Sequence, residues 1–331
     1  MTGIPLTSAA LFRAATTALD ETGVSSERVV ERAGLPPYQH LESQSKIPGI
    51  HLYRFMDHAA RALGEESFGA MAPGYAPLSS MGSIGKAISQ SMTVYDAINT
   101  LNRAYNRFGT TSLFSIVEGD EEIWWFRKRL LDADVGLRQM ELFTLGYMIK
   151  LVRMGAGSAW RPAKVCMELD SIPRLDRLEA FADAEVHRQR GVSGLVIPRS
   201  ALSRPIPSQS SSAPVDNGQI SAEPPSNKFV ESLRQILRSF LTFGHPRIEM
   251  IAEILGVNVR TLQRRLSEEG LTFKKVIDQA RYQAAGELMS QPEINLVEVA
   301  HELGYSDQAH FNRAFRRFAG TSPTKYRLLL L

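Results

Sequence analysis

The stretch Ala252–Leu266, AEILGVNVRTLQRRL, decides the fold, because its pattern returns 48 residues later at Ala300–Phe315, AHELGYSDQAHFNRAF. Each copy holds an apolar helix with a small residue, a Gly, and a second apolar-periodic helix. Ala252 and Ala300 let two helices cross closely, and Gly256 and Gly304 supply the positive φ that a tight inter-helix turn needs. With one extra residue in the second copy, Leu262-Gln263-Arg264-Arg265-Leu266 corresponds to Phe311-Asn312-Arg313-Ala314-Phe315. The outer apolar residues of each set face inward, which leaves Gln263, Arg264, Asn312 and Arg313 outside. Arg can pair bidentately with guanine, and Asn or Gln with adenine, in the major groove of a duplex. One helix-turn-helix pattern is common in unrelated proteins. Two in about 100 residues, both with basic second helices, are a specific signal for a double-stranded DNA partner.

Working outward from the repeat, Phe229, Leu233, Ile236, Leu237, Phe240 and Leu241 form an apolar helical stripe, broken at Gly244-His245-Pro246. Ser203–Asn227 is rich in Ser and Pro and nearly free of bulky apolar residues, so it reads as a linker. Upstream the pattern mixes helices and strands. Helices are expected near Ser8–Asp20, Leu52–Leu63, Thr93–Phe108 and Val135–Arg153, with a hairpin of Thr111–Val117 and Glu121–Arg129 around Gly119-Asp120 and a strand at Lys164–Leu169. The expected architecture is multidomain: an α+β domain over residues 1–202, a linker over 203–227, and an all-α domain over 228–331 with two helix-turn-helix units. The surplus of apolar helix faces around Thr93–Phe108 and Val135–Arg153 suggests a homodimer through the N-terminal domain, although the sequence alone assigns neither face to a dimer rather than to the core.

Charge supports this division. The chain carries a net +3, but residues 228–331 hold 15 Lys and Arg against 11 Asp and Glu, while the rest holds 23 against 24. The basic excess therefore sits with the repeat, where a polyanion would bind. Cys166 is the single cysteine, which excludes an intrachain disulfide and reads as a buried small hydrophobe. No window approaches the ~18 apolar residues of a membrane span. Met1–Pro5 lacks the basic start of a signal peptide, so the expected compartment is the cytoplasm. The seven His are scattered and form no metal pattern; His51 and His58, seven apart, read as a surface pair. No phosphate loop or nucleophile constellation is present, so no catalytic role, metal or cofactor is expected.

The stretch Leu296–Arg327, LVEVAHELGYSDQAHFNRAFRRFAGTSPTKYR, closing on Gly320-Thr321-Ser322-Pro323-Thr324-Lys325-Tyr326-Arg327, resembles the signature of AraC/XylS transcriptional regulators. The resemblance implies a seven-helix domain in which a long helix near Phe273–Ser290 joins two units and sets two recognition helices in successive major grooves. Those helices would be Val259–Glu269, presenting Arg260, Gln263 and Arg264 to bases, and Asp307–Phe318, presenting Ala309, Asn312 and Arg313. Lys274, Lys275, Arg316, Arg317, Lys325 and Arg327 are the expected phosphate contacts. The family further implies an activator that contacts RNA polymerase. A non-catalytic interaction module without DNA specificity is the alternative, but it gives no reason to join such a repeat to an α+β domain.

Gly194–Arg199 (GLVIPR) with Leu202 and Pro205 resembles the end of the arabinose-binding-like sensor domain of one subgroup of that family. This implies a small-molecule effector. An apolar metabolite would suit a pocket lined by Trp124, Phe126, Phe143 and Tyr147. An anionic nucleotide such as cyclic di-GMP would suit Arg188, Arg190 and Ser193 in His187–Gly194, since guanidinium groups pair with phosphate. Arg190–Gly194 resembles part of the cyclic-di-GMP motif of PilZ domains, without the separate upstream RxxxR element. A domain with no diffusible ligand is the third alternative.

Overall fold

A computed structural model of the chain describes residues 3–43, 45–108, 111–168, 178–188, 192–207, 228–241 and 246–329. The described residues form two compact units, one over residues 5–207 and the other over residues 228–329.

The first unit is α+β. It opens with β1 (Leu6–Ser8), α1 (Ala9–Asp20), α2 (Ser26–Arg32), β2 (Lys46–Pro48), α3 (Gly49–Leu63), α4 (Phe68–Tyr75), α5 (Ser83–Ser89) and α6 (Val94–Phe108). There follow β3 (Ser112–Glu118), β4 (Glu122–Arg129), α7 (Leu137–Ala156), β5 (Lys164–Met167), β6 (Glu185–Arg188), β7 (Val192–Pro198) and α8 (Arg199–Leu202). Strands β1 and β2 pair as a separate ribbon, while the main sheet runs β3-β4-β7-β5-β6, with only β5 and β6 parallel. The expected hairpin is β3–β4, with Phe114 opposite Arg127 and Ile116 opposite Trp125.

Strand alternation gives this sheet two unlike faces. Ile123, Trp125 and Arg127 are buried, as is Leu195 opposite Trp125. Trp124 and Phe126 point the other way, half-buried and stacked with centroids 5.3 Å apart. Leu113 and Val117 on β3 belong to that second face and are exposed.

Of the two uses open to the apolar faces of α6 and α7, the core takes them: Val94, Ile98 and Leu101 are buried, as are Leu142, Leu145, Ile149 and Val152. Two expectations change here. The N-terminal end of the expected linker is attached to the unit. Ile206 is buried and its N–H donates to Met92 O at 2.9 Å, while Arg204 O accepts from Val94 N; residues 208–227 lie outside the described residues. His51 is not on the surface but buried in α3, its Nδ1 3.0 Å from the Tyr38 hydroxyl. Cys166 is buried and free, its thiol pushed up to about 12 by burial. Among the described residues no helix is long and apolar enough to cross a membrane.

The second unit is helical: α9 (Phe229–Arg238), α10 (Ile248–Ile254), α11 (Val259–Glu268), α12 (Phe273–Met289), α13 (Leu296–Glu302), α14 (Gln308–Ala319) and α15 (Pro323–Arg327). The stripe from Phe229 to Leu241 is buried, and α12 packs against α9, α13 and α14.

Candidate nucleic-acid interface and N-terminal cavity

The sequence repeat is a repeat of backbone hydrogen bonds. After α10, Gly256 N donates to Glu253 O and Val257 N to Ala252 O, each at 2.9 Å; after α13, Gly304 N donates to His301 O and Tyr305 N to Ala300 O, each also at 2.9 Å. Both turns need a left-handed residue, and Gly256 (φ 65°) and Gly304 (φ 72°) provide it. The second helix of each unit is then started by a side-chain cap. Asn258 Oδ1 accepts from Thr261 N at 2.8 Å, and Asp307 Oδ1 accepts from His310 N at 2.6 Å. The N–H of His310 holds the Asp307 carboxyl below the usual carboxylate range. The extra residue of the second copy lies between the turn Gly and this cap.

Burial sorts the second helices as the apolar spacing implies. Leu262 and Leu266 of α11, and Phe311 and Phe315 of α14, face inward. Arg260, Gln263 and Arg264 are exposed on α11, and Ala309 and Arg313 on α14. Asn312 is half-buried, with its Oδ1 buried and unpartnered. Lys274 and Lys275 are exposed in the first turn of α12, and Arg316, Arg317 and Lys325 are exposed as well. Arg265 differs from Arg264 by lying over the Phe229 ring at 5.4 Å. Arg281, which the sequence did not single out, is buried in α12 and stacks on Tyr305 at 4.8 Å.

Arg327 has a structural contact besides the phosphate contact expected of it, made through its Nη2 alone. Its guanidinium donates to Gln291 O at 2.6 Å and to Ile294 O, closing the loop between α12 and α13. The rest of the closing signature is also structural. Gly320 ends α14 at φ 70°, Ser322 Oγ caps α15 by accepting from Lys325 N at 3.3 Å, and Pro323 occupies the first turn, where its missing N–H costs nothing. Tyr326 joins an aromatic cluster around Phe315. The signature therefore specifies how α14 and α15 fold back on α12.

In the first unit the proposed effector residues are not brought together. Trp124 and Phe126 lie on the half-exposed sheet face, with His187 edge-on to Trp124 at 6.0 Å. Ser193 is buried and opposite Arg127, so it points to the other face; Arg188 is exposed on the edge strand β6. Arg190 lies outside the described residues. No anion cradle forms from the described members of this set.

What the fold does build is a cavity on the buried face, about 50 Å³ in volume, or about 580 Å³ of empty space when the open solvent at its mouth is included. Its walls come from α1, α3, α6, β3, β4 and α7, and it includes Phe143 and Tyr147. Arg127 enters from β4, 2% exposed, donating Nε–H to Ser112 Oγ (2.8 Å), Nη1–H to Glu141 Oε1 (2.5 Å) and Nη2–H to Tyr53 Oη (2.8 Å). Burial pushes the Glu141 carboxyl above its ordinary range, and Arg127 draws it back only in part. Sequence reasoning missed this group, because an Arg in a strand is ordinarily a solvated one. Among the described residues no cluster of His, Cys, Asp and Glu could hold a metal ion.

Comparison with known proteins follows the same division. Residues 23–206 match the family described as the arabinose-binding domain of AraC transcription regulator, N-terminal, and residues 251–328 match a helix-turn-helix domain family. Two curated relatives are similar over the C-terminal part. The HTH-type transcriptional regulator VqsM of Pseudomonas aeruginosa is 38% identical over 98 residues, 29% of this chain and 30% of that protein. The HTH-type transcriptional regulator VirS of Mycobacterium tuberculosis is 40% identical over 92 residues, 28% of this chain and 27% of that protein. The matches thus span less than a third of either relative's length. The crystal structure of the transcriptional regulator CdpR from Pseudomonas aeruginosa aligns over 92% of this chain and 96% of its own, at 19% identity and a TM-score of 0.41.

Proposed function

The chain belongs to the family of AraC transcription regulators, which are regulators and not enzymes, and from that premise we propose that it reads a specific site in promoter DNA under the control of a small molecule held in its N-terminal unit. The observation that carries the DNA reading is the repeated turn and cap geometry, which twice presents a helix with an exposed arginine at the matching position, Arg264 and Arg313. Arg260, Gln263, Arg264, Ala309, Asn312 and Arg313 are the proposed base-facing residues. Lys274, Lys275, Arg316, Arg317, Lys325 and Arg327 are the proposed phosphate contacts. The two second helices carry different residues, so one chain would read an asymmetric site with halves centred ~10 bp, or ~34 Å, apart.

Arg264→Ala should cost ~1–3 kcal/mol at one base pair and relax the preference there. Lys274→Ala should weaken binding to every sequence alike and lower the salt slope by about one unit. Titration of both variants on the selected site and on random duplex, over a series of salt concentrations, separates the roles. Equal loss on both DNAs for Arg264→Ala would remove it from the base-reading set.

An activator role and a contact with RNA polymerase are proposed on the family alone. A homodimer is proposed as well. With α6 and α7 consumed in the core, the apolar surface left for it includes the sheet face that carries Leu113 and Val117. Sedimentation equilibrium of the full chain should give twice the chain mass at micromolar concentration; a single chain mass there would count against a dimer.

A further inference from the structure

The cavity of the N-terminal unit has a chemistry that limits what can enter it. Its walls are largely apolar, from Leu11, Leu52, Leu101, Phe114, Phe143 and Met148 among others. Two polar groups stand out against them. Tyr147 is 5% exposed, and its buried hydroxyl has no partner within hydrogen-bond distance, the Ser80 hydroxyl being the neighbouring polar group that acts on it. Burial pushes that hydroxyl up to about 12, so it is a neutral phenol that can donate and accept a hydrogen bond. Arg127 is the other, and three of its five N–H groups are taken by Ser112, Glu141 and Tyr53, which leaves two.

Charge decides between ligand classes. Arg127 is the one charged side chain lining the cavity among the described residues, and Glu141, fully buried behind it, already neutralises it. A carboxylate or phosphate entering this space would meet a balanced pair and would add an unmatched negative charge in apolar surroundings, where such a charge is strongly disfavoured. An ammonium group would add an unmatched positive charge. A hydroxyl or carbonyl oxygen suffers neither penalty and accepts from Arg127 or Tyr147.

We propose that this cavity is the effector site and that it takes a small uncharged molecule with an apolar body and a hydroxyl or carbonyl group. Its role as an effector site rests on the regulator reading above; its ligand chemistry does not. The anionic nucleotide suggested by the sequence has no place in it.

The test uses the full chain and three matched pairs of probes: cyclohexylmethanol with cyclohexanecarboxylate, 2-phenylethanol with phenylacetate, and 1-octanol with octanoate. Thermal midpoints and calorimetric titrations are measured for the wild type, for Tyr147→Phe, which removes only the phenol hydroxyl, and for Leu101→Phe, which fills part of the cavity. At least one alcohol should raise the midpoint and bind tenfold or more tightly than its carboxylate. Tyr147→Phe should weaken that alcohol about tenfold with its own midpoint unchanged, and Leu101→Phe should weaken it as well. The proposal is overturned if no alcohol binds, if a carboxylate binds as well as its alcohol, or if both variants bind the alcohol like the wild type. Binding of the same wild-type preparation to random duplex at low salt, without probe, is measured alongside. Failure there would sink the regulator reading and leave the ligand chemistry standing.

Discussion

Replacing Glu141 with leucine should lower the unfolding free energy of the N-terminal unit by about 3–5 kcal/mol. Arg127 is 2% exposed and Glu141 fully buried, so the guanidinium left behind could neither reach water nor find another carboxylate. The loss would be the cost of an uncompensated buried charge rather than the worth of the pair, and this separates two outcomes. If so, the double variant Arg127→Met/Glu141→Leu, which removes both charges, should recover most of what the single variant loses. Urea unfolding followed by tryptophan fluorescence measures both, because Trp124, Trp125 and Trp160 all lie in this unit and report on it alone. A double variant no more stable than Glu141→Leu would show that packing, not charge, governs the site.

Phe315→Ala should be as damaging in the other unit, at about 3–5 kcal/mol. The Phe315 ring is 4% exposed and lies 5.3 Å from Tyr326, 5.4 Å from Tyr282 and 5.6 Å from Phe311, so it holds α12, α14 and α15 to one another. A domain with only 5–15 kcal/mol of net stability has little to spare for such a hole. The part of the helical far-ultraviolet signal that comes from the C-terminal unit should melt earlier and site-specific DNA binding should fall with it, while the tryptophan transition of the N-terminal unit stays in place. Unchanged helix melting in this variant would mean that the aromatic cluster is not what secures α14.

The C-terminal unit was legible because several local signals agree. The 3.6-residue apolar period fixes which side of α11 and α14 is buried, the glycines mark turns that need positive φ, and Asn258 and Asp307 are strong helix starters. Arg327 escaped this reading, since spacing shows that it sits near the surface but not that two carbonyls of a loop 33 and 36 residues earlier wait for it. In the N-terminal unit the two-residue period of β4 separates Trp124 and Phe126 from Trp125 and Arg127, but it does not say which pair the helices will cover. The cavity lies on the Arg127 face, with Phe143 and Tyr147 of the expected lining in its walls and Trp124 and Phe126 on the opposite face of the sheet. His51 was misplaced for a related reason: nothing local marks Tyr38 as the partner that lets a histidine be buried.

The 17-residue helix α12 joins the two helix-turn-helix units as one unbroken bar. At about 1.5 Å and 100° per residue it is about 25 Å long, and its phase is as fixed as its length. DNA turns by about 35° per base pair. Adding one residue to α12 would swing the second unit about 100° around the first while advancing it only about 1.5 Å, and no whole number of base pairs reproduces that step. On the proposed reading, with both second helices on DNA, protein and operator are two screws of different pitch that mesh at one setting. A base pair inserted between the half-sites cannot be followed by lengthening the bar, so target sites of this regulator should vary in their letters far more freely than in their spacing.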